Sequence, residues 1–179
     1  LGWQDTLASP DNTQRQNEYR QAFAARSVYT PQAVINGRTH LGGADRDAIR
    51  ATLRKMATSG QGMSVGLRMT VAGDRLIIDV GAAKGPPAEA HVVLVSFSPR
   101  SVVAIERGEN SGSTVAYWNA VSSIQTAGMW HGTPARFELP LREVSRKGPG
   151  GCAVLLQSIA ADGLPGPILG AALVSSPAP

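Results

Sequence analysis

The sequence predicts an α+β protein, in which a part with two helices and a β-hairpin, residues 1–60, is followed by an antiparallel β-sandwich, residues 61–179. Three observations support this division. Apolar residues of the first part follow a helical period, and those of the second part alternate with polar residues. A stretch rich in Gly and Ser, residues 58–62, lies between the two patterns. A length of 179 residues suits one or two small domains, each with a modest core.

Two helices are predicted in the first part. The first covers residues 9–26, because Ser9 is a favourable N-cap and Pro10 suits the first helical position. The second covers residues 45–57 and is capped by Asp45. Its apolar face is predicted to consist of Ala48, Ile49, Leu53 and Met56.

A proline stands directly before a strand between these helices. Pro31 has no backbone N–H, so it belongs at the first residue of a strand or just before it. Asn36-Gly37 is a signal for a two-residue hairpin turn, which predicts one strand over 32–35 and another over 38–42. The predicted order is therefore helix, proline loop, hairpin, helix.

Short strands are predicted throughout the second part. The apolar residues alternate with a period of two, and Gly and Pro mark the turns, one of them at residues 164–167. Seven or eight such strands indicate an antiparallel sandwich. The predicted strands cover residues 63–71, 76–80, 91–97, 101–107, 113–126, 135–142, 151–159 and 167–175.

Composition and charge exclude several function classes. Lys and Arg number 17 and Asp and Glu number 13, and the small excess is scattered along the chain. A nucleic-acid interface usually needs a clustered basic stripe, so none is predicted. No apolar stretch is long enough to cross a membrane as a helix. One cysteine and three widely separated histidines offer no metal-ligand spacing, so no metal or other cofactor is predicted.

The order of elements in the first part resembles the C-terminal half of a thioredoxin-like domain. In that fold the X-Pro bond before the penultimate strand is cis, and the loop lies against the active-site cysteines. The resemblance implies a cis bond between Thr30 and Pro31, with the backbone of Thr30 available to a bound peptide or thiol partner. An ordinary trans proline at the start of a hairpin is the alternative interpretation.

Longer stretches resemble one particular family. The segment "LGWQDTLASPDNTQRQNEYRQAFAARSVYTPQAVINGR" is similar to the bacterial, mostly exported domain-of-unknown-function family 1223, as are "VVAIERGENSG", "YWNAV", "GMWHGTPARFELPL" and "GPILGAAL". Members of that family begin with a strand followed by a Cys-Ser-Ser-Cys-Pro-Pro-type motif at a helix start. No Cys-x-x-Cys occurs here, and Leu1-Gly2-Trp3 matches the point just after the family's second strand.

This departure from the family pattern determines the expected function. A cysteine pair at a helix start supplies the attacking and resolving thiols of disulfide exchange, so this chain alone is not expected to carry out that chemistry. The resemblance implies that the missing half belongs to a longer protein, periplasmic or secreted, that acts as a thiol-disulfide oxidoreductase or senses thiols. The rival hypothesis is a non-catalytic binding or assembly module that docks proteins through the cis-proline face and the sandwich.

Further candidate partner-binding residues lie in two loops. Trp3 is predicted to cover the side of the thioredoxin-like site, although simple loop packing is an equal alternative. In the stretch 105–112, Arg107 can offer its guanidinium fork to an acidic or peptide ligand, with Glu109 and Asn110 beside it. The alternative is a glycine-rich hairpin connection whose charges face water.

The remaining chemistry-bearing residues have structural interpretations. Tyr117, Trp118, Trp130 and His131 are predicted to pack in the core or across strands, with a ligand-stacking surface as the alternative. Cys152 precedes an apolar run and is predicted to point into the sandwich. A hydrolase function is disfavoured because no nucleophile elbow or nucleophile–base set is recognisable.

Overall fold

A computed structural model of the protein describes residues 7–85, 89–105, 111–144 and 150–174. In this part of the chain three helices and nine strands form a mixed α and β architecture, and every strand pair is antiparallel. In chain order the elements are α1 (Pro10–Ala22), β1 (Gln32–Ile35), β2 (Thr39–Gly42), α2 (Arg46–Thr58), β3 (Leu67–Ala72), β4 (Arg75–Val80), β5 (Ala90–Ala104), β6 (Thr114–Trp130), β7 (Ala135–Pro140), α3 (Leu141–Val144), β8 (Gly151–Ile159) and β9 (Pro165–Val174).

The first helix begins where its cap predicts. The Ser9 hydroxyl accepts a hydrogen bond from the Asn12 N–H at 3.2 Å, which satisfies one of the backbone donors left unpaired at a helix start. The helix ends at Ala22, so the predicted extent of 9–26 is too long. Ala24 adopts a φ of +49°, and a left-handed residue cannot continue a right-handed helix.

The second helix is also capped as predicted, but its apolar face is narrower than predicted. The Asp45 carboxylate accepts a hydrogen bond from the Ala48 N–H at 2.9 Å. Met56 is buried, whereas Leu53 is 47% exposed, so its assignment to the buried face is wrong. The helix packs mainly on the short strand β1, which is too small to cover a full apolar face.

The hairpin has a longer turn than the Asn-Gly signal predicts. Ile35 pairs with Thr39, and the Arg38 N–H donates to the Ile35 carbonyl at 2.9 Å, so Arg38 lies in the turn and the second strand begins one residue later than predicted. Asn36 and Gly37 both have positive φ, +49° and +63°. A Cβ on Gly37 would clash with the backbone of β9, which approaches the turn closely.

The second part of the chain forms two sheets around one core. The three-stranded sheet has the order β3-β4-β7 and the four-stranded sheet has the order β6-β5-β8-β9. Just before β3, the Val65 N–H donates to the Leu169 carbonyl of β9 at 2.9 Å, which joins one edge of each sheet. The buried core cluster consists of Val65, Met69, Leu76, Ile78, Val80, Ala90, Val92, Leu94, Trp130, Cys152, Val154 and Leu156.

Two predicted strands are one continuous strand. The predicted strands 91–97 and 101–107 are wrong as separate elements, because β5 runs through Pro99 without a break. The pairing of β5 with β8 ends at Phe97, and opposite Pro99 the partner strand carries Asn119 with a φ of +53°. A proline is tolerated there because no ladder hydrogen bond needs its missing N–H.

Several strand boundaries also differ from the prediction. The turn predicted at 164–167 is wrong, because β9 already begins at Pro165, which pairs with Ile159, and the tight turn lies at 160–164. The strand predicted over 63–71 is shorter and begins at residue 67. Turns in this part of the chain are set by how β8 and β9 meet, which local composition does not encode.

Candidate functional site

Helix α1 is attached to the outer face of the four-stranded sheet by a buried amide and, near its first turn, by a hydrogen bond of 3.3 Å from Nδ2 of Asn12 to the Val121 carbonyl. Gln157 of β8 is 3% exposed. Its Nε2 donates to the hydroxyl of Tyr19 at 3.0 Å and to the carbonyl of Gly166 at 2.8 Å. Its Oε1 accepts from Nη2 of Arg15 at 2.7 Å, and that nitrogen lies 3.1 Å from the Tyr19 hydroxyl. These hydrogen bonds fix two turns of α1 against β8 and β9.

A column of ring contacts extends from this amide to the hairpin. The guanidinium of Arg15 lies 5.1 Å from the ring centroid of Tyr19, which stacks on Phe23 at 5.6 Å. Phe23 stacks on His40 of β2 at 4.9 Å, and the Tyr29 ring lies 5.7 Å from the same imidazole. The column therefore joins α1 to the loop and to the strand that follow it.

His40 fixes both ends of the proline loop. Its Nδ1 lies 2.7 Å from the hydroxyl of Tyr29 and 3.3 Å from Nε2 of Gln32. The Gly43 N–H donates to the Pro31 carbonyl at 2.9 Å. Tyr29 and Gln32, which flank the pair Thr30-Pro31, thus both contact the imidazole of His40.

The loop presents a cis-proline beside a groove. The bond between Thr30 and Pro31 is cis, the isomer that the resemblance implied, and both residues are exposed. Thr30 and Gln32 line a groove of about 550 Å³ between α1 and the outer face of the sheet. Its apolar floor consists of Val95, Val121, Ile124 and Leu155. Val95 and Leu155 alternate with the core residues Leu94, Val154 and Leu156 along their strands, so they face away from the core.

One edge of β1 is open on this side of the hairpin. In an antiparallel pair, residues that exchange hydrogen bonds alternate with residues whose backbone groups point outward. The Gly43 N–H donates to the Pro31 carbonyl, so Pro31 belongs to the set of alternate residues that bond toward β2. The N–H and C=O groups of Gln32 and Val34, which belong to the other set, therefore point away from β2. No other strand pairs with β1 in the described ranges. We call these outward groups the β1 edge.

The structure places two of the six predicted partner-binding residues. Thr30 and Pro31 lie together at the groove. Trp3, Arg107, Glu109 and Asn110 lie outside the described residues, so their predicted roles stay predictions.

Arg15, Tyr19 and Gln157 complete the site, although the sequence did not predict their role. The spacing of Arg15 and Tyr19, one helical turn apart, was a detectable signal. Gln157 lies 138 residues from Tyr19, so no local pattern indicates its contact with that residue.

The aromatic residues of the second part do not form one site. Trp130 is fully buried in the core, as one of its two interpretations predicted. Trp118 is 70% exposed and lies opposite Arg100 on the neighbouring strand, with the guanidinium 5.8 Å from its ring. His131 contacts Glu89 at 3.1 Å on the surface. A shared ligand-stacking surface therefore has no support from the positions of these side chains.

The single cysteine lies in the core, as predicted. Cys152 belongs to the core cluster, on the opposite face of the sheet from the groove. Burial raises the pKa of its thiol to about 11, so the thiol is neutral at physiological pH. Within the described ranges no group of three His, Cys, Asp or Glu side chains could hold a metal ion. No helix in those ranges is long and apolar enough to cross a membrane.

Comparisons with known proteins identify relatives without an assigned activity. Residues 1–157 match the family described as "Protein of unknown function (DUF1223)". A crystal structure of an Agrobacterium tumefaciens protein, determined as a structural-genomics target, is 41% identical and has a TM-score of 0.86. The match covers 97% of this chain and 74% of that chain. No curated protein matches the sequence.

Replacing Gln157 by Leu should lower the free energy of unfolding by about 1–3 kcal/mol, because the Gly166 carbonyl and the Arg15 guanidinium lose a buried partner. Urea unfolding measures the change. Gln125→Leu, at an exposed position of β6, is the matched control and should change the value by less than about 0.5 kcal/mol. Equal effects of the two substitutions would show that the amide does not hold α1 in place.

The buried thiol should make stability fall at high pH. Up to the ordinary pKa of 9.0 the thiol is protonated in the folded and unfolded states. Between 9.0 and about 11 only the unfolded state releases the proton, so the free energy of unfolding should fall by roughly 1 kcal/mol per pH unit. Cys152→Ala removes this contribution, and the difference between the two proteins isolates it from other titrating groups. A difference that does not change with pH contradicts the burial of the thiol.

Proposed function

This chain belongs to the DUF1223 family of proteins of unknown function, and we propose that it binds an extended polypeptide at its cis-proline face. In this proposal residues 1–60 are the C-terminal half of a thioredoxin-like domain and residues 61–179 are a β-sandwich. The order α1, cis-proline loop, hairpin, α2 supports the first assignment. The single core between two antiparallel sheets supports the second.

The β1 edge is the observation that carries the proposal. The backbone groups of Gln32 and Val34 point outward beside the exposed Thr30, and an extended segment can satisfy them by adding a strand. An open edge is otherwise a liability for aggregation, so a partner that covers it is favourable. Main-chain hydrogen bonds of this kind give affinity without requiring one particular partner sequence.

The groove supplies the side-chain contacts that such a partner needs. Alternate side chains of an added strand point to opposite faces of the sheet, so every second one can reach the groove. The groove has an apolar floor formed by the outer face of the four-stranded sheet and a polar wall with Arg15 and Gln16 of α1. These features favour a partner segment in which apolar residues alternate with polar ones.

Thiol redox chemistry is the second candidate, and it is supported by the order of α1, proline loop, hairpin and α2, which resembles the C-terminal half of a thioredoxin-like domain. The 179 residues hold one cysteine, Cys152, which is buried on the far face of the sheet. A Cys-x-x-Cys pair would therefore have to come from a segment outside these residues. Under this proposal the protein is exported, as the family resemblance implies. The encoding gene tests it directly: a Cys-x-x-Cys upstream of Leu1 supports the redox function, and its absence overturns it.

Polypeptide binding can be tested on the chain with an unfolded probe. We use fluorescently labelled lactalbumin that is reduced and carboxymethylated, because it is extended and has no free thiol. Val34→Pro removes an outward N–H of the β1 edge and should weaken binding about tenfold, as measured by fluorescence anisotropy. Gly42→Pro alters the opposite edge of the hairpin and should leave the affinity unchanged.

The fold of each variant is checked by its urea midpoint. If Val34→Pro is destabilised more than Gly42→Pro, Thr30→Trp takes its place, because it changes an exposed residue and fills the mouth of the groove. Binding of the probe with equal affinity to the wild type, Val34→Pro and Thr30→Trp would exclude the cis-proline face. Failure of the wild type to bind the probe would contradict the proposal altogether.

A further inference from the structure

We propose that a second cavity, on the α2 side of the hairpin, binds a small organic molecule that carries an oxyanion, either a carboxylate or a phosphate monoester. The cavity has a volume of about 640 Å³ and lies between the end of α1, the hairpin turn, α2 and the turn that leads into β9. None of the residues that line it lines the groove beside Thr30. The inference therefore does not rest on the proposed polypeptide binding.

An arginine of the hairpin turn is one of the residues that line this cavity. Arg38 of the hairpin turn lines it, and the Nε of this residue is buried without a hydrogen-bond partner among the described residues. A buried donor without a partner costs free energy, so native proteins rarely keep one. The terminal nitrogens of the same guanidinium can donate to an oxyanion in the cavity.

A second cation lines the same cavity. Lys55 of α2 contributes to its wall, and neither Lys55 nor Arg38 forms an ion pair with a carboxylate within the described ranges. Asp162 is the one carboxylate among the described lining residues, so two positive charges stand against one negative charge. The balance favours an anionic ligand over a cationic or a neutral one.

The rest of the cavity wall is apolar and can accommodate the organic group of a ligand. Phe23, Met56, Leu164, Pro165 and Pro167 provide apolar surface next to the two cations. A cavity of this size falls within the range of small-molecule sites, which combine apolar walls with a few placed polar groups. A bare inorganic ion would leave that apolar surface unused, so the cavity favours an oxyanion with an aromatic or aliphatic group.

Titration calorimetry with four probes tests the proposal on the chain. Phenyl phosphate and benzoate carry both an oxyanion and an aromatic ring. Inorganic phosphate lacks the ring, and benzyl alcohol lacks the charge. We expect phenyl phosphate, benzoate or both to bind at or below about 1 mM, and the two remaining probes to bind at least about tenfold more weakly. The stronger of the two anions identifies which oxyanion the site prefers.

Variants then locate the binding site. Arg38→Gln and Lys55→Met should each weaken binding of the preferred anion about tenfold. Arg54→Gln is the matched control, because it removes a positive charge from the same helix at an exposed position that does not line the cavity. If Arg38→Gln fails to fold, Lys55→Met decides, since Lys55 is exposed. Three results would each overturn the proposal. The preferred anion binds wild type and Lys55→Met equally, benzyl alcohol binds as tightly as the organic anions, or neither organic anion binds.

Discussion

The buried amide of Gln157 is the interaction on which the rest of the candidate site depends. Helix α1 has a weak apolar stripe, and Tyr19 is its one buried residue. Apolar burial alone therefore supplies little of the free energy that holds α1 on the sheet. The hydrogen bonds among Arg15, Tyr19 and Gln157 supply specific attachment, and burial makes each of them costly to break.

The position of α1 in turn determines where the cis-proline loop lies. The ring column passes from Tyr19 through Phe23 to His40, and His40 contacts the residues on both sides of the loop. Thr30 and Gln32 consequently line the groove. The turn of the same hairpin carries Arg38 into the second cavity. One hairpin thus presents two surfaces with different chemistry.

The sequence could predict the local features and not the long-range ones. The caps Ser9 and Asp45 were predicted because their causes lie within a few neighbouring residues, whereas the cis bond before Pro31 was implied only by the resemblance to a thioredoxin-like domain. The single long strand through Pro99 was not predicted. A proline is tolerated inside a strand only where no ladder hydrogen bond needs its N–H, and here that depends on where β8 stops pairing with β5. The attachment through Gln157 was missed for the same reason: a polar residue in a strand usually indicates a solvent-facing position, and here α1 covers it.

Amide hydrogen exchange in the Gln157→Leu variant tests most directly whether this amide positions the site. If Gln157 positions the site, amides of α1 and of the paired hairpin residues Ala33 and Leu41 should exchange at least about tenfold faster than in the wild type, because their attachment to the sheet is weakened. Amides of Leu94 and Val154, in the core between the two sheets, should lose protection much less. Unchanged exchange in the hairpin, or an equal loss of protection throughout the chain, would show that Gln157 does not position the site.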